Sequence, residues 1–141
     1  MNLRESFFHL YHGLKALEFQ TNSKKSGDLT YRDLMYINLI MFMDDCTVTK
    51  LAEIMNISKP AVTMRVNRLI EQGIIIKQKS REDERVNILM LSPATYARFG
   101  ENDKRINHAL AKICEEFPPE DVKVFARMMD RLAELFQDPN V

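Results

Sequence analysis

The sequence predicts a mainly α-helical chain with one small β-hairpin, an α+β arrangement. Three observations predict it. Apolar residues recur at helical spacing through most of the 141 residues. Two short β-prone runs, 74–77 and 86–91, flank a polar tip at 80–84. Capping and breaking residues (Thr30, Thr47, Ser58, Gly73, Ser92, Pro118) fall where helices would start and stop.

Leu3, Phe7, Leu10, Tyr11, Leu14 and Leu17 place a first helix over about 2–21, followed by a polar loop at 21–27. Thr30 is a good N-cap, and Asp33 three residues later makes a variant capping box for a second helix over about 31–43. Asp44-Asp45-Cys46 ends it. Thr47 caps a short third helix that turns Val48, Leu51, Ala52 and Met55 inward. Asn56 tolerates the left-handed conformation that a tight turn requires, and Ile57 packs back. Ser58 caps a fourth helix, with Pro60 in the first turn, where a missing N–H does no harm, and Gly73 just past the end. After the hairpin, Ser92 and Pro93 open what reads as one long helix to about Phe117. Pro118-Pro119 breaks it, and a last helix over about 119–137 shows Val122, Phe125, Met128, Met129, Leu132, Leu135 and Phe136 on one face.

The length suits one domain spanning 1–141, with a lobe at 29–92 between flanking helices at 2–21 and 93–137. Apolar residues make up 45% and charged residues 28%, ordinary for a globular protein. No apolar run is long enough for a bilayer; the best, 34–43, is interrupted by Asn38. The first residues carry an early acid, Glu5, and no signal-peptide layout. Two cysteines, Cys46 and Cys114, make no disulfide framework. These features predict a cytoplasmic protein without a membrane partner. A glycine-rich phosphate loop, a nucleophile elbow and an H-E-x-x-H signature are all missing, so no catalytic residue, metal or cofactor is assigned and an enzyme is not expected. Net charge is zero, which alone would argue against a nucleic-acid partner. Its distribution matters more: 56–85 holds seven basic against four acidic residues, and 115–141 three basic against seven acidic.

A short helix, a tight turn, a second helix and a charged hairpin together have the anatomy of a winged helix–turn–helix, which puts a helix into a DNA groove. On the fourth helix Val62, Val66 and Leu69 share an inner face at 100° per residue. Pro60, Met64, Asn67 and Arg68 lie opposite, with Ala61 and Thr63 at the margins and Lys59 at the open end. Asn67 suits an adenine edge, Arg68 a guanine edge or a phosphate, and Thr63 and Met64 a thymine methyl. The amides near Ser58 favour a phosphate, and Arg65 on the flank suits a backbone contact. In the hairpin Lys77, Lys79, Arg81 and Arg85 are placed to meet the sugar-phosphate backbone or a minor groove. Phosphate would repel Glu82, Asp83 and Glu84; Asp83 instead reads as a brace for Arg85 or the tip amides.

On these residues the chain resembles the MarR family of bacterial winged-helix regulators. The family's wing signature runs D-x-R-D-x-R, five residues, then L-T. Asp83, Arg85 and Leu91 match it, Ser92 stands for the threonine, and Ser80 and Glu82 replace the first aspartate and arginine. Leu29-Thr30, Leu51-Ala52 with Ile57-Ser58, and Leu69 with Gly73 extend the likeness over 29–92. One departure stands out: members often carry a basic residue at the position of Met64, and here the charge is displaced to Arg65.

The resemblance implies a homodimer clasped by the first and the last two helices, reading a pseudo-palindromic double-stranded operator. It also implies a small-molecule effector cleft between those helices and the reading lobe, for which Phe7, Phe8, Tyr11, His12, Tyr36 and Met43 are the candidates. Some members bind metals or use a reactive thiol, which brings His9, His12, His108, Cys46 and Cys114 into view. The expected function is a sequence-specific transcriptional regulator, a dimeric repressor relieved by a ligand or stress signal. Its rivals are an enzyme, a winged helix that binds only proteins, and a thiol- or metal-based sensor.

Overall fold

The structure, a computed structural model, describes residues 2–25 and 27–141, with side chains omitted at 22–25. Met1 and Ser26, the latter inside the expected 21–27 loop, lie outside the described residues. The elements are α1 (Leu3–Lys25), α2 (Tyr31–Phe42), α3 (Val48–Met55), α4 (Lys59–Glu71), β1 (Ile75–Lys79), β2 (Asn87–Leu91), α5 (Pro93–Phe99), α6 (Glu101–Glu116) and α7 (Pro119–Gln137). They fall into two compact units, Met1–Asp103 and Lys104–Val141.

In the first unit the expected caps form. Thr30 and Asp33 make a reciprocal capping box on α2. The Thr47 and Ser58 hydroxyls accept from Lys50 N and Ala61 N. Asn56 takes φ 52°, ψ 48°, the left-handed turn between α3 and α4, and Gly73 takes φ 73° after α4. The inward stripes then meet in one core. Leu34, Ile37 and Ile40 of α2, Leu51 of α3, and Val62, Val66 and Leu69 of α4 pack with Ile75, Leu89, Leu91 and Phe99. Each such side chain, fully buried, contributes roughly 1.5–3 kcal/mol. The hairpin is antiparallel, pairing Ile75 with Leu91 and Lys79 with Asn87. Its period of two turns Ile75, Leu89 and Leu91 inward and leaves Ile76 and Met90 outside. Leu89 N donates to Cys46 O at 2.8 Å, fixing the hairpin to the loop after α2.

Three boundaries differ from the sequence expectation. α1 continues through residues 22–25, which read as loop. Polar residues extend an established helix readily, because each adds a backbone bond without a new nucleus, and the first glycine beyond is Gly27 at φ 56°. β1 reaches Lys79, so the strand runs closer to the tip than the apolar run suggested. The single helix expected over 93–117 is two helices, broken at Gly100. There the chain passes so close to itself that a Cβ on Gly100 would lie 2.5 Å from Tyr96 O. The break is held by Gly100 N donating to Tyr96 O at 2.7 Å and by the Tyr96 hydroxyl donating to Asp103 at 2.8 Å. Asn102, buried just beyond it, donates to Leu17 O at 3.4 Å and accepts from the Thr21 hydroxyl at 2.8 Å, so α1 is hydrogen-bonded to the start of α6.

In the second unit, Pro118 and Pro119 separate α6 from α7 as expected. None of the α7 side chains is buried. Phe125, Met128, Met129, Leu132 and Phe136 are all exposed, Met128 by 63% and Phe136 by 68%.

Candidate nucleic-acid interface

The turn at Asn56 and the burial of Val62, Val66 and Leu69 fix which side of α4 faces outward. Ser58, Lys59, Pro60, Ala61, Thr63, Met64, Asn67 and Arg68 are exposed, Met64 by 73%. Met64, Arg65, Asn67 and Arg68 line an open cleft of about 670 Å³ that continues to Arg32, Met35 and Tyr36 on α2. The outer face therefore offers apolar, amide and guanidinium groups along one rod, flanked by Lys59 at its N-terminal end.

The two arginines of α4 share a partner that sequence reasoning missed in this role. Asp33, only 2% exposed, accepts from Arg65 Nη1 at 3.0 Å and from Arg68 Nη2 at 3.2 Å. Its second oxygen also lies 3.4 Å from Arg68 Nη2 and 3.1 Å from Thr30 N. One carboxylate thus closes the α2 cap and anchors the α4 arginines. Burial would raise its pKa, but hydrogen bonds from Thr30 and Arg65 and the charge of Arg68 outweigh that and hold it below the usual carboxylate range. Arg65 is thereby committed inward, at 22% side-chain exposure, while Arg68 keeps 49%. The capping box flagged Asp33 in the sequence, but no local spacing links it to residues 32 and 35 positions away.

The hairpin tip is shaped by its own hydrogen bonds. Arg85 donates to Asp83 from N and Nε at 3.0 Å each and from Nη2 at 3.2 Å. This two-pronged contact lowers the Asp83 pKa. Ser80 Oγ accepts from Glu82 N at 3.2 Å, and Val86 N donates to Asp83 O at 2.9 Å. Lys77, Lys79, Arg81 and Arg85 are exposed around this tip. The pair is solvated, so it sets shape rather than stability.

The six residues suggested for an effector cleft differ in burial. Tyr36, 3% exposed, belongs to the core, and Met43 packs against it. Burial raises the Tyr36 pKa. On α1, Phe8 meets Phe7 at 5.3 Å and Tyr11 and His12 at 6.2 Å each, centroid to centroid, with Tyr11 and His12 exposed. Cys46 is fully buried, which pushes its thiol up to about 11, whereas Cys114 is exposed. Among the described residues no three His, Cys, Asp or Glu side chains come together as a metal site, and no helix is long and apolar enough to cross a membrane.

Comparison with known proteins fits this geometry. Residues 27–86, which hold α2 through the hairpin tip, match the model of the MarR family. The chain is 25% identical over 100 residues to the transcriptional regulator AdcR of Streptococcus pneumoniae serotype 2 (strain D39 / NCTC 7466), covering 69% of this chain and 68% of that one. Among solved structures it is similar to Streptococcus pneumoniae FabT in complex with DNA, with a TM-score of 0.58 and 19% identity over 96% of each chain. It is also similar to the adhesin competence repressor AdcR from Streptococcus pyogenes, with a TM-score of 0.51 and 18% identity over 98% of this chain and all of that one. These two likenesses concern the fold.

Proposed function

We propose that the chain, which matches the MarR family over residues 27–86, is a DNA-binding transcriptional regulator that acts as a homodimeric repressor, reading a pseudo-palindromic operator with α4 and the hairpin. The observation that carries the reading is the outer face of α4: Lys59, Thr63, Met64, Asn67 and Arg68 stand exposed beside a hairpin that carries four exposed cations. Asn67 and Arg68 supply base-edge contacts, Thr63 and Met64 apolar ones. Ser58 and the first amides of α4, with Lys59, Pro60 and Ala61, approach the phosphate backbone. Lys77, Lys79, Arg81 and Arg85 follow the backbone or enter the adjacent minor groove.

The exposed apolar residues of α7 and the stripe of Leu3, Leu10 and Leu14 on α1 support a self-association role for the flanking helices. In a two-fold dimer the two α4 helices would lie about 34 Å apart, one helical turn of DNA. An effector would relieve repression only by binding a DNA-incompetent arrangement more tightly than the competent one. Phe7, Phe8, Tyr11 and His12 of α1 are the outer candidates for its surface, and Tyr36 and Met43, packed in and against the core, the inner ones.

The test is duplex binding by fluorescence anisotropy across a salt series, using a duplex that the purified protein has selected from a random library. If each dimer neutralises roughly six phosphates, log affinity falls against log salt with a slope near −5. A flat response would overturn the reading. Arg68→Ala is expected to weaken the selected duplex more than a shuffled one; equal loss on both would make Arg68 a phosphate contact.

A further inference from the structure

We propose that Asp33 is a positioning residue for DNA reading: its buried carboxylate holds the Arg68 guanidinium in place before a duplex arrives, and so sets sequence discrimination. The proposal rests on the reading of α4 as the recognition helix and adds to it a residue of α2 that does not itself touch DNA.

The argument begins with Arg68. Its contacts with Asp33 run through Nη2, one corner of a planar fork that carries five N–H donors. The side chain is half exposed, so the rest of the fork is available to the groove. A long, unrestrained arginine surrenders rotamer freedom when it docks; one already fixed has surrendered it on folding. The brace itself is rigid. Asp33 is anchored at Thr30 N within the capping box and at Arg65 Nη1, and it is almost wholly buried. The same carboxylate brings one negative charge to two cations, so it reduces indiscriminate attraction to phosphate. One residue thus favours the right sequence by orientation and disfavours every sequence by charge.

These two effects give Asp33→Asn an unusual signature. Asparagine keeps an oxygen acceptor for Thr30 N and removes the charge. Two uncompensated arginines then stand beside the groove. Affinity of the dimer for a shuffled duplex should rise, with a salt slope steeper by about two, one for each protomer. The ratio of selected to shuffled affinity should fall by about tenfold for each half-site, the scale of one lost oriented base contact. In Asp33→Asn combined with Arg68→Ala, the ratio should fall no further than with Arg68→Ala alone. Asp33→Glu, which restores the charge, should recover part of the ratio. A purely structural Asp33 would lower both affinities together, because only the folded fraction would change; that outcome overturns the proposal.

A second measurement needs no variant. In the free protein, NMR should show restricted rotation of the Arg68 guanidinium, and fast averaging would equally overturn the proposal. Should the unaltered protein bind the selected duplex no better than the shuffled one, α4 is not a reader and both readings fall. Should it discriminate while Asp33→Asn leaves the ratio unchanged, only the role of Asp33 falls.

Discussion

Asp33 shows how much one side chain can be asked to do when the fold brings distant residues to it. Its carboxyl is depressed below its unfolded value of about 3.9. Its ionised form is therefore favoured by folding, and the resulting stability is complete above that value. It is lost as pH falls through the lower folded pKa, because protonation then costs the Arg65 and Arg68 contacts. The acid limb of a melting-temperature profile should accordingly be shallower in Asp33→Asn than in the unaltered protein. Profiles that run parallel would show that the carboxylate contributes nothing to acid sensitivity. The thiols give a second prediction at this scale. Cys46 is buried with its pKa raised to about 11, so it is protonated and sealed at neutral pH. A thiol reagent should label Cys114 in the native protein, and Cys46 only at the rate of unfolding. Rapid labelling of both would refute this. Cys46 could be weighed from sequence as inert or reactive, but its burial comes from the Leu89–Cys46 hydrogen bond and the surrounding core, which residue type does not reveal.

Among the elements, those closed by local chemistry were legible before the structure. α2, α3 and α4 begin at Thr30, Thr47 and Ser58 because each hydroxyl accepts from an amide three residues on, and the left-handed Asn56 follows from its tolerance of positive φ. The break between α5 and α6 was not legible. A glycine inside a helical pattern costs only about 1 kcal/mol, so it does not announce a boundary. Gly100 ends α5 because of a neighbour: the Tyr96 carbonyl and ring occupy the space of its missing Cβ. Gly100→Ala should therefore destabilise the protein, although alanine is the better helix former. Backbone cannot yield as a flexible side chain would, and strain of about 1–3 kcal/mol is expected in a denaturant titration. A neutral or stabilising result would mean that the joint relaxes freely.

For the whole molecule the decisive surface is that of the flanking helices. Among the described residues none of α7 is buried, and exposed Phe125, Met128, Met129 and Leu132 form an apolar surface that water alone would not favour. A second copy is the occupant proposed. Light scattering should give twice the chain's 16.5 kDa, and the melting temperature should rise with protein concentration. Met128→Glu, which puts a charge on this face, should shift the mass towards a single chain and weaken the palindromic duplex more than a half-site. A single-chain mass for the unaltered protein at micromolar concentration would remove the dimer from the model.

By itself the sequence determined the order of the elements, their caps, the inner face of α4 and the likeness to a known family, because each depends on residues within a few positions of one another. Tertiary structure decided the rest: that α5 stops at Gly100, that Tyr36 and Met43 serve the core, and that Arg65 and Arg68 answer to Asp33. The first depends on the close approach of the Tyr96 carbonyl and ring to Gly100, the other two on which surfaces meet across tens of residues, and helical or strand periodicity carries no information about either.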